Sequence, residues 1–108
     1  MGFFDFLKQP DINKGVMEYR NTDGAVLLDV RTPQEYREGH IPGAINVANE
    51  TIGTDEIPEL PDKDQLILVY CRSGNRSKQA SEKLVALGYT NIVEFGGIND
   101  WPGETATG

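Results

Sequence analysis

The sequence predicts an α/β fold: a mainly parallel sheet with helices on both of its faces. Three observations carry this expectation. Apolar runs of strand length lie at residues 25–30, 44–47, 66–70 and 92–95,. Stretches with helical spacing or helix-start signals lie among them, the pattern of a parallel sheet. The 108 residues suffice for one domain with one core,. We therefore expect a single domain over residues 1–108, its core at about 11–102 and a frayed tail at 103–108,.

The elements follow in order. Phe3-Phe4-Asp5-Phe6-Leu7 suits an edge strand or a packed anchor. Ile12, Val16 and Tyr19 recur at helical spacing after Pro10-Asp11,. Asn21-Thr22-Asp23-Gly24 is a turn,. The run at 25–30 is interrupted only by Asp29. A carboxylate buried there needs partners, and Arg31 with nearby backbone N–H groups can supply them. Asp29 and Arg31 are thus expected to support the site rather than react. Thr32-Pro33-Gln34-Glu35 reads as a capping box with proline at the first helical position, and Gly39 ends that helix,. His40-Ile41-Pro42-Gly43 turns into the strand at 44–47. Residues 48–65 are acidic and broken by Pro58 and Pro61, so a solvated loop with one helical turn at most is expected. After the strand at 66–70, Ala80, Leu84 and Leu87 mark the face of a helix from Asn75, closed by Gly88,. The strand at 92–95 runs into Gly96-Gly97, and Ile98 to Trp101 makes one turn.

Composition removes several function classes. The net charge of −7 argues against nucleic acid, which is bound by neutralising phosphates, and against a basic membrane face,. No apolar run approaches the ~20 residues of a membrane span. The start of the chain lacks the basic and cleavage features of a signal peptide, so a cytoplasmic location is expected,. One cysteine leaves no partner for a disulfide, and one cysteine with one histidine makes no zinc site,. No metal and no other cofactor is expected. The oligomeric state is not encoded in any pattern of the chain.

The chemistry concentrates in Cys71-Arg72-Ser73-Gly74-Asn75-Arg76, followed by Ser77. The sole cysteine stands where the clearest strand gives way to a helix. Ligands of parallel sheets bind at that end of the strands. The helix N-terminus, a glycine that can turn successive N–H groups inward, two guanidiniums and two hydroxyls all favour a thiolate over a thiol. They would also hold an anionic substrate. A lone cysteine at a strand end is more often a small buried hydrophobe. Such a residue has no need of a cationic, glycine-containing loop. The Cys-x4-Arg spacing is one residue shorter than the Cys-x5-Arg of tyrosine phosphatases, which argues for a smaller cradle and against a phosphatase or a disulfide-cycling arsenate reductase.

These residues, with Leu28-Asp29-Val30-Arg31, Glu35-Tyr36, Gly39-His40-Ile41-Pro42-Gly43-Ala44, Phe95-Gly96-Gly97 and Trp101, make the chain similar to the rhodanese homology domain. The resemblance spans about residues 25–101. It implies a parallel sheet of about five strands. It implies a sulfurtransferase in which Cys71 takes sulfane sulfur from thiosulfate or a similar small anionic donor. A thiophilic acceptor, either cyanide or a cellular thiol or protein, then removes it. It implies further that the backbone from Arg72 to Arg76 cradles the persulfide and that Arg72 and Arg76 receive the sulfonate. The alternative on the same fold is a sulfur-carrier or protein-binding module without turnover. His40 is expected to hydrogen-bond structurally, and Trp101 to pack or to wall the pocket.

Overall fold

The computed structural model describes residues 11–108, so the Phe-rich segment at 3–7 lies outside the described residues. Helix α1 (Ile12–Asn21) opens on Asp11, whose Oδ1 accepts from the N–H groups of Asn13 at 3.0 Å and Lys14 at 3.4 Å,. Strand β1 (Val26–Asp29), helix α2 (Pro33–Glu38) and the short strand β2 (Ile45–Asn46) follow. After a 3-10 turn at Asn49–Thr51 come strand β3 (Ile67–Cys71), helix α3 (Asn75–Ala86), strand β4 (Ile92–Gly97) and a second 3-10 turn at Ile98–Asp100. The sheet order is β2-β1-β3-β4, parallel throughout. Among the described residues it has four strands, one fewer than the family resemblance implies.

Strand β3 is buried at all five positions, as a central strand covered on both faces must be,. Its side chains divide by the two-residue period. Ile67, Val69 and Cys71 join Leu28, Ala80, Leu84 and Tyr89 on the α3 face,. Leu68 and Tyr70 join Ile12, Val16, Leu27 and Phe95 on the α1 face. Each fully buried Leu, Ile or Val contributes roughly 1.5–3 kcal/mol relative to exposure. Helix α1 sits so close to β4 that a Cβ on Gly15 would lie 2.1 Å from the Phe95 ring.

The long acidic connection is pinned rather than loose. Ile52, Ile57 and Leu60 are buried, and the Tyr89 hydroxyl donates to the Leu60 carbonyl at 2.6 Å. Asp55, Glu56, Glu59, Asp62 and Asp64 remain exposed. The tail corrects the expectation of fraying. Ala106 pairs with His40 through two backbone hydrogen bonds of 2.8 and 2.9 Å, and the Gly108 N–H donates to the Arg37 carbonyl at 2.9 Å. Small residues such as Ala106 can lie flat against a strand-like segment, which polarity alone does not reveal.

Asp29 is fully buried at the carboxyl end of β1. It accepts from the Arg31 backbone N–H at 2.9 Å and from the Arg31 guanidinium at 2.7 to 3.1 Å. The same guanidinium reaches the Gly39 carbonyl at 2.6 Å and lies 5.9 Å over the Tyr70 ring. Burial, with Asp29 adding to it, pushes the Tyr70 phenol well above its ordinary range, so it stays neutral and accepts from the Ile41 N–H. This network fixes where α2 begins and ends. Asp29→Ala would leave a buried guanidinium without its counter-charge. We expect it to cost about 3–5 kcal/mol by urea denaturation, and the paired replacement Asp29→Leu with Arg31→Met to cost far less.

Candidate active site

Cys71 is the last residue of β3, and the chain turns from it into α3 within three residues. The turn is made at Gly74, the N-cap of α3, whose φ of 111° lies in the left-handed region open to glycine,. No side chain caps α3. Its first N–H groups are therefore free for another acceptor, and the sulfur takes that place. The Gly74 N–H donates to Cys71 Sγ at 2.9 Å. The Ser77 hydroxyl stands 3.5 Å from Sγ, one turn into the helix.

These contacts bear on the ionisation of the thiol in opposite directions. Burial pushes it up. The Ser77 hydroxyl and the backbone N–H groups of Ser77, Gly74 and Ser73 pull it down and prevail, so Cys71 lies below the ordinary thiol value,. Cys71 is 1 % exposed and shares the α3-side apolar cluster with Val69 and Ala80. Its aliphatic neighbours pack on the sulfur, which also meets the Gly74 N–H and the Ser77 hydroxyl.

The loop arginines take a different place from the one their sequence position suggests. Both are paired with Glu35. Arg72 Nε and Nη2 reach Glu35 Oε2 at 3.1 and 3.0 Å. Arg76 Nη1 and Nη2 reach Oε1 and Oε2 at 2.7 and 3.0 Å. Arg76, more than any other group, holds the Glu35 carboxyl far below the usual carboxylate range. Arg76 is itself raised, by Glu35 first and by the Cys71 charge to a smaller degree. Two guanidiniums against one carboxylate leave a net positive charge above the loop. Glu35 also closes the capping box of α2, accepting from the Thr32 N–H at 3.0 Å.

A cleft of about 350 Å³ opens beside the loop, lined by Ser73, Gly74, Lys78, Glu94, Asp100 and the Gly96-Gly97 turn. Cys71 is not among the residues that line it. Gly97 is required there for space, because a Cβ would stand 2.1 Å from the Arg72 carbonyl oxygen. That carbonyl also accepts from the Asn99 N–H at 3.1 Å. Asn75 is exposed at the first position of α3. Asp29 and Arg31 lie below α2, away from the loop's hydrogen bonds. His40 stacks on Tyr36 at 3.7 Å, and its Nδ1–H donates to the Tyr36 carbonyl at 2.8 Å, so its ring is committed to the β1–β2 connection. Trp101 packs on the α1-side cluster and donates to the Glu104 carbonyl at 2.9 Å. It is not among the residues lining the cleft.

Two residues of the site have roles that spacing does not reveal. Glu35 is legible as a cap but not as the partner of arginines about forty positions away. Glu94 accepts from the Ser77 hydroxyl at 2.7 Å. Its only signal is a carboxylate inside the apolar run 92–95.

Comparison with known proteins bears on the family. The model of the rhodanese-like domain matches residues 13–104. The chain is 38 % identical over 73 residues to the thiosulfate sulfurtransferase PspE of Escherichia coli K12, covering 68 % of this chain and 70 % of that one. It is 40 % identical over 91 residues to the thiosulfate sulfurtransferase GlpE of Pseudomonas entomophila, covering 80 % and 82 %. A solved rhodanese with anions from E. coli superposes with a TM-score of 0.69 at 34 % identity, covering 78 % of this chain and 99 % of that one.

Alkylation of Cys71 is expected to titrate below the free-cysteine value of about 8.5. Ser77→Ala removes the hydroxyl beside the sulfur, one of the groups that lower the thiol, and raises the midpoint. Glu35→Gln removes a negative charge from the arginines and lowers it. The rate of iodoacetamide labelling against pH reads all three. Glu35→Gln also destabilises the fold at neutral pH, because a carboxyl depressed in the folded state contributes stability above its unfolded pKa of about 4.3. That difference from wild type closes as pH falls below about 4 in thermal melts.

Proposed function

As the chain belongs to the rhodanese-like domain family, we propose that its sulfurtransferase activity runs through a persulfide on Cys71. The supporting observation is the sulfur itself, held by the Gly74 N–H at 2.9 Å under a loop with net positive charge. The reaction has two halves. The Cys71 thiolate attacks the sulfane sulfur of thiosulfate or a similar donor. The donor's S–S bond breaks with its electron pair on the departing sulfite, and the enzyme keeps Cys71–S–S⁻. An acceptor, either cyanide or a thiol on a small molecule or a protein, then takes the terminal sulfur and returns Cys71 to the thiolate.

Each loop residue has a part. The N–H groups of Ser73, Gly74 and Ser77 receive the negative charge of thiolate and persulfide in turn, fixed in place before the charge arrives,. Asn75 begins the helix that orients them. Arg72, with its side chain 56 % exposed, and Arg76, at 31 %, exchange part of their pairing with Glu35 for the sulfonate of the donor,. That exchange slackens the tie that Glu35 makes across the loop. No second cysteine stands in the chain, so the sulfur leaves only to an outside acceptor. No helix among the described residues is long and apolar enough to cross a membrane. A single unpaired cysteine suits the reducing cytoplasm, where we place the protein,.

Treatment with thiosulfate followed by intact-protein mass spectrometry should add the mass of one sulfur atom, removed again by cyanide. Cys71→Ser should take no sulfur and should turn over thiosulfate and cyanide at the uncatalysed rate. Full activity in that variant would remove the persulfide from the mechanism.

A further inference from the structure

Glu94 lies on β4 where the sheet register breaks. Val69 is opposite Glu94, but Cys71 is opposite Gly97, so two steps along β3 correspond to three along β4. The extra residue is accommodated at Gly96, with φ of 109°. Bulges of this kind re-aim a side chain near a site. Here the bulge N–H at Gly96 donates to Glu94 Oε2 at 2.8 Å and holds the carboxylate against α3. The same oxygen accepts from the Ser77 hydroxyl at 2.7 Å. Ser77 is fully buried and stands 3.5 Å from Cys71 Sγ. Glu94 also lines the open cleft, which Cys71 does not. One continuous row of polar atoms thus runs from the cleft to the buried sulfur: carboxylate, hydroxyl, sulfur.

The two halves of the reaction differ in their protons. Donor attack involves none. A thiol acceptor brings one: R–S–H and Cys71–S–S⁻ become R–S–S⁻ and Cys71–S–H, and the Cys71 thiol then loses its proton to solvent to give the thiolate that meets the next donor. A bond forms between the acceptor sulfur and the terminal sulfur. The Sγ–S bond breaks, and its electron pair stays on Sγ. The proton must leave the acceptor before or during attack and can end on Sγ. We infer that Glu94 is the general base for thiol acceptors bound in the cleft, and that Ser77 relays the proton to the departing Cys71 sulfur. The carboxylate takes the acceptor's proton and passes it to the Ser77 oxygen, while the Ser77 hydroxyl proton turns from Glu94 to Sγ. Atoms and charge balance with no further reactant. The residue thereby selects among acceptors, favouring protic thiols over anions that arrive without a proton.

This inference rests on the Cys71 persulfide, and the experiment separates the two. Cys71 is loaded with thiosulfate, freed of donor, and discharged in a single turnover by mercaptoethanol or by sulfite, which attacks as an anion. In Glu94→Gln, discharge to mercaptoethanol at pH 7 is expected to fall by about tenfold or more. Discharge to sulfite should hold or rise, since a negative charge has left the cleft. The deficit with mercaptoethanol should fade as pH rises and the thiol ionises by itself. Glu94→Asp, which keeps a carboxylate, should recover part of the loss. An unchanged rate with mercaptoethanol, an equal loss with both acceptors, or a deficit constant with pH would each overturn the assignment. Failure of the wild-type protein to load sulfur would instead strike the persulfide reading itself.

Discussion

The carboxylate of Glu35 joins the parts on which the site depends. It closes the first turn of α2 through Thr32 and binds Arg72 and Arg76 from the loop after β3. The carboxyl ends of β1 and β3 are thereby tied together above the sheet. Below it, Asp29 and Arg31 fix the start of the same helix through a buried pair that also reaches Gly39. The two pairs act in series. The lower one positions α2, α2 positions Glu35, and Glu35 holds the loop whose N–H groups face the sulfur. Such preorganisation matters because charge that appears on the sulfur then meets dipoles already in place.

Within this frame the labour is divided by distance. The groups that lower the thiol are those in hydrogen-bond reach, the Ser77 hydroxyl and three backbone N–H groups. The guanidiniums spend their own hydrogen bonds on Glu35. They supply a field and a landing place rather than direct contact. A neutral dipole at 2.9 Å, held in a dry pocket, competes well with a full charge that is partly solvated and already paired,. The left-handed Gly74 permits it, because the N–H vectors converge only if the chain reverses there,.

The fold was legible wherever the information is local. The capping box at Thr32 and Glu35, proline at the head of α2, the apolar period of β3, and Gly88 after α3 each express a rule that acts within a few residues. The cysteine loop was legible for the same reason. What escaped is non-local. The pairing of Glu35 with Arg72 and Arg76 spans 37 and 41 positions, and no spacing rule reaches so far. The bulge that aims Glu94 depends on how β4 is registered against β3, which is decided by packing. The small, polar tail carries no signal of order in its sequence, yet its backbone pairs with His40. The only trace of such features in the chain is a charged residue out of pattern. Asp29 and Glu94 each interrupt an apolar strand, and each proves to be held by specific donors.

A molecule of net charge −7 that draws in an anionic donor needs its charges sorted rather than balanced. The sorting here is spatial. The acids of the long connection, Asp55, Glu56, Glu59, Asp62 and Asp64, are exposed to solvent, where salt screens each within about 10 Å,. Glu35 stands inside the site but is outnumbered by its two arginines. Glu94 and Asp100 are the exceptions, carboxylates on the wall of a cleft that Lys78 also lines; of the two, Glu94 is the one bonded to Ser77. Its position would hinder a reaction with anions only, and its hydrogen bond to Ser77 would then be a cost without a return. It fits a reaction whose second partner carries a proton. Among the carboxylates of the cleft, Glu94, through Ser77, is the one placed to take that proton, and this is the ground for proposing a thiol as the acceptor.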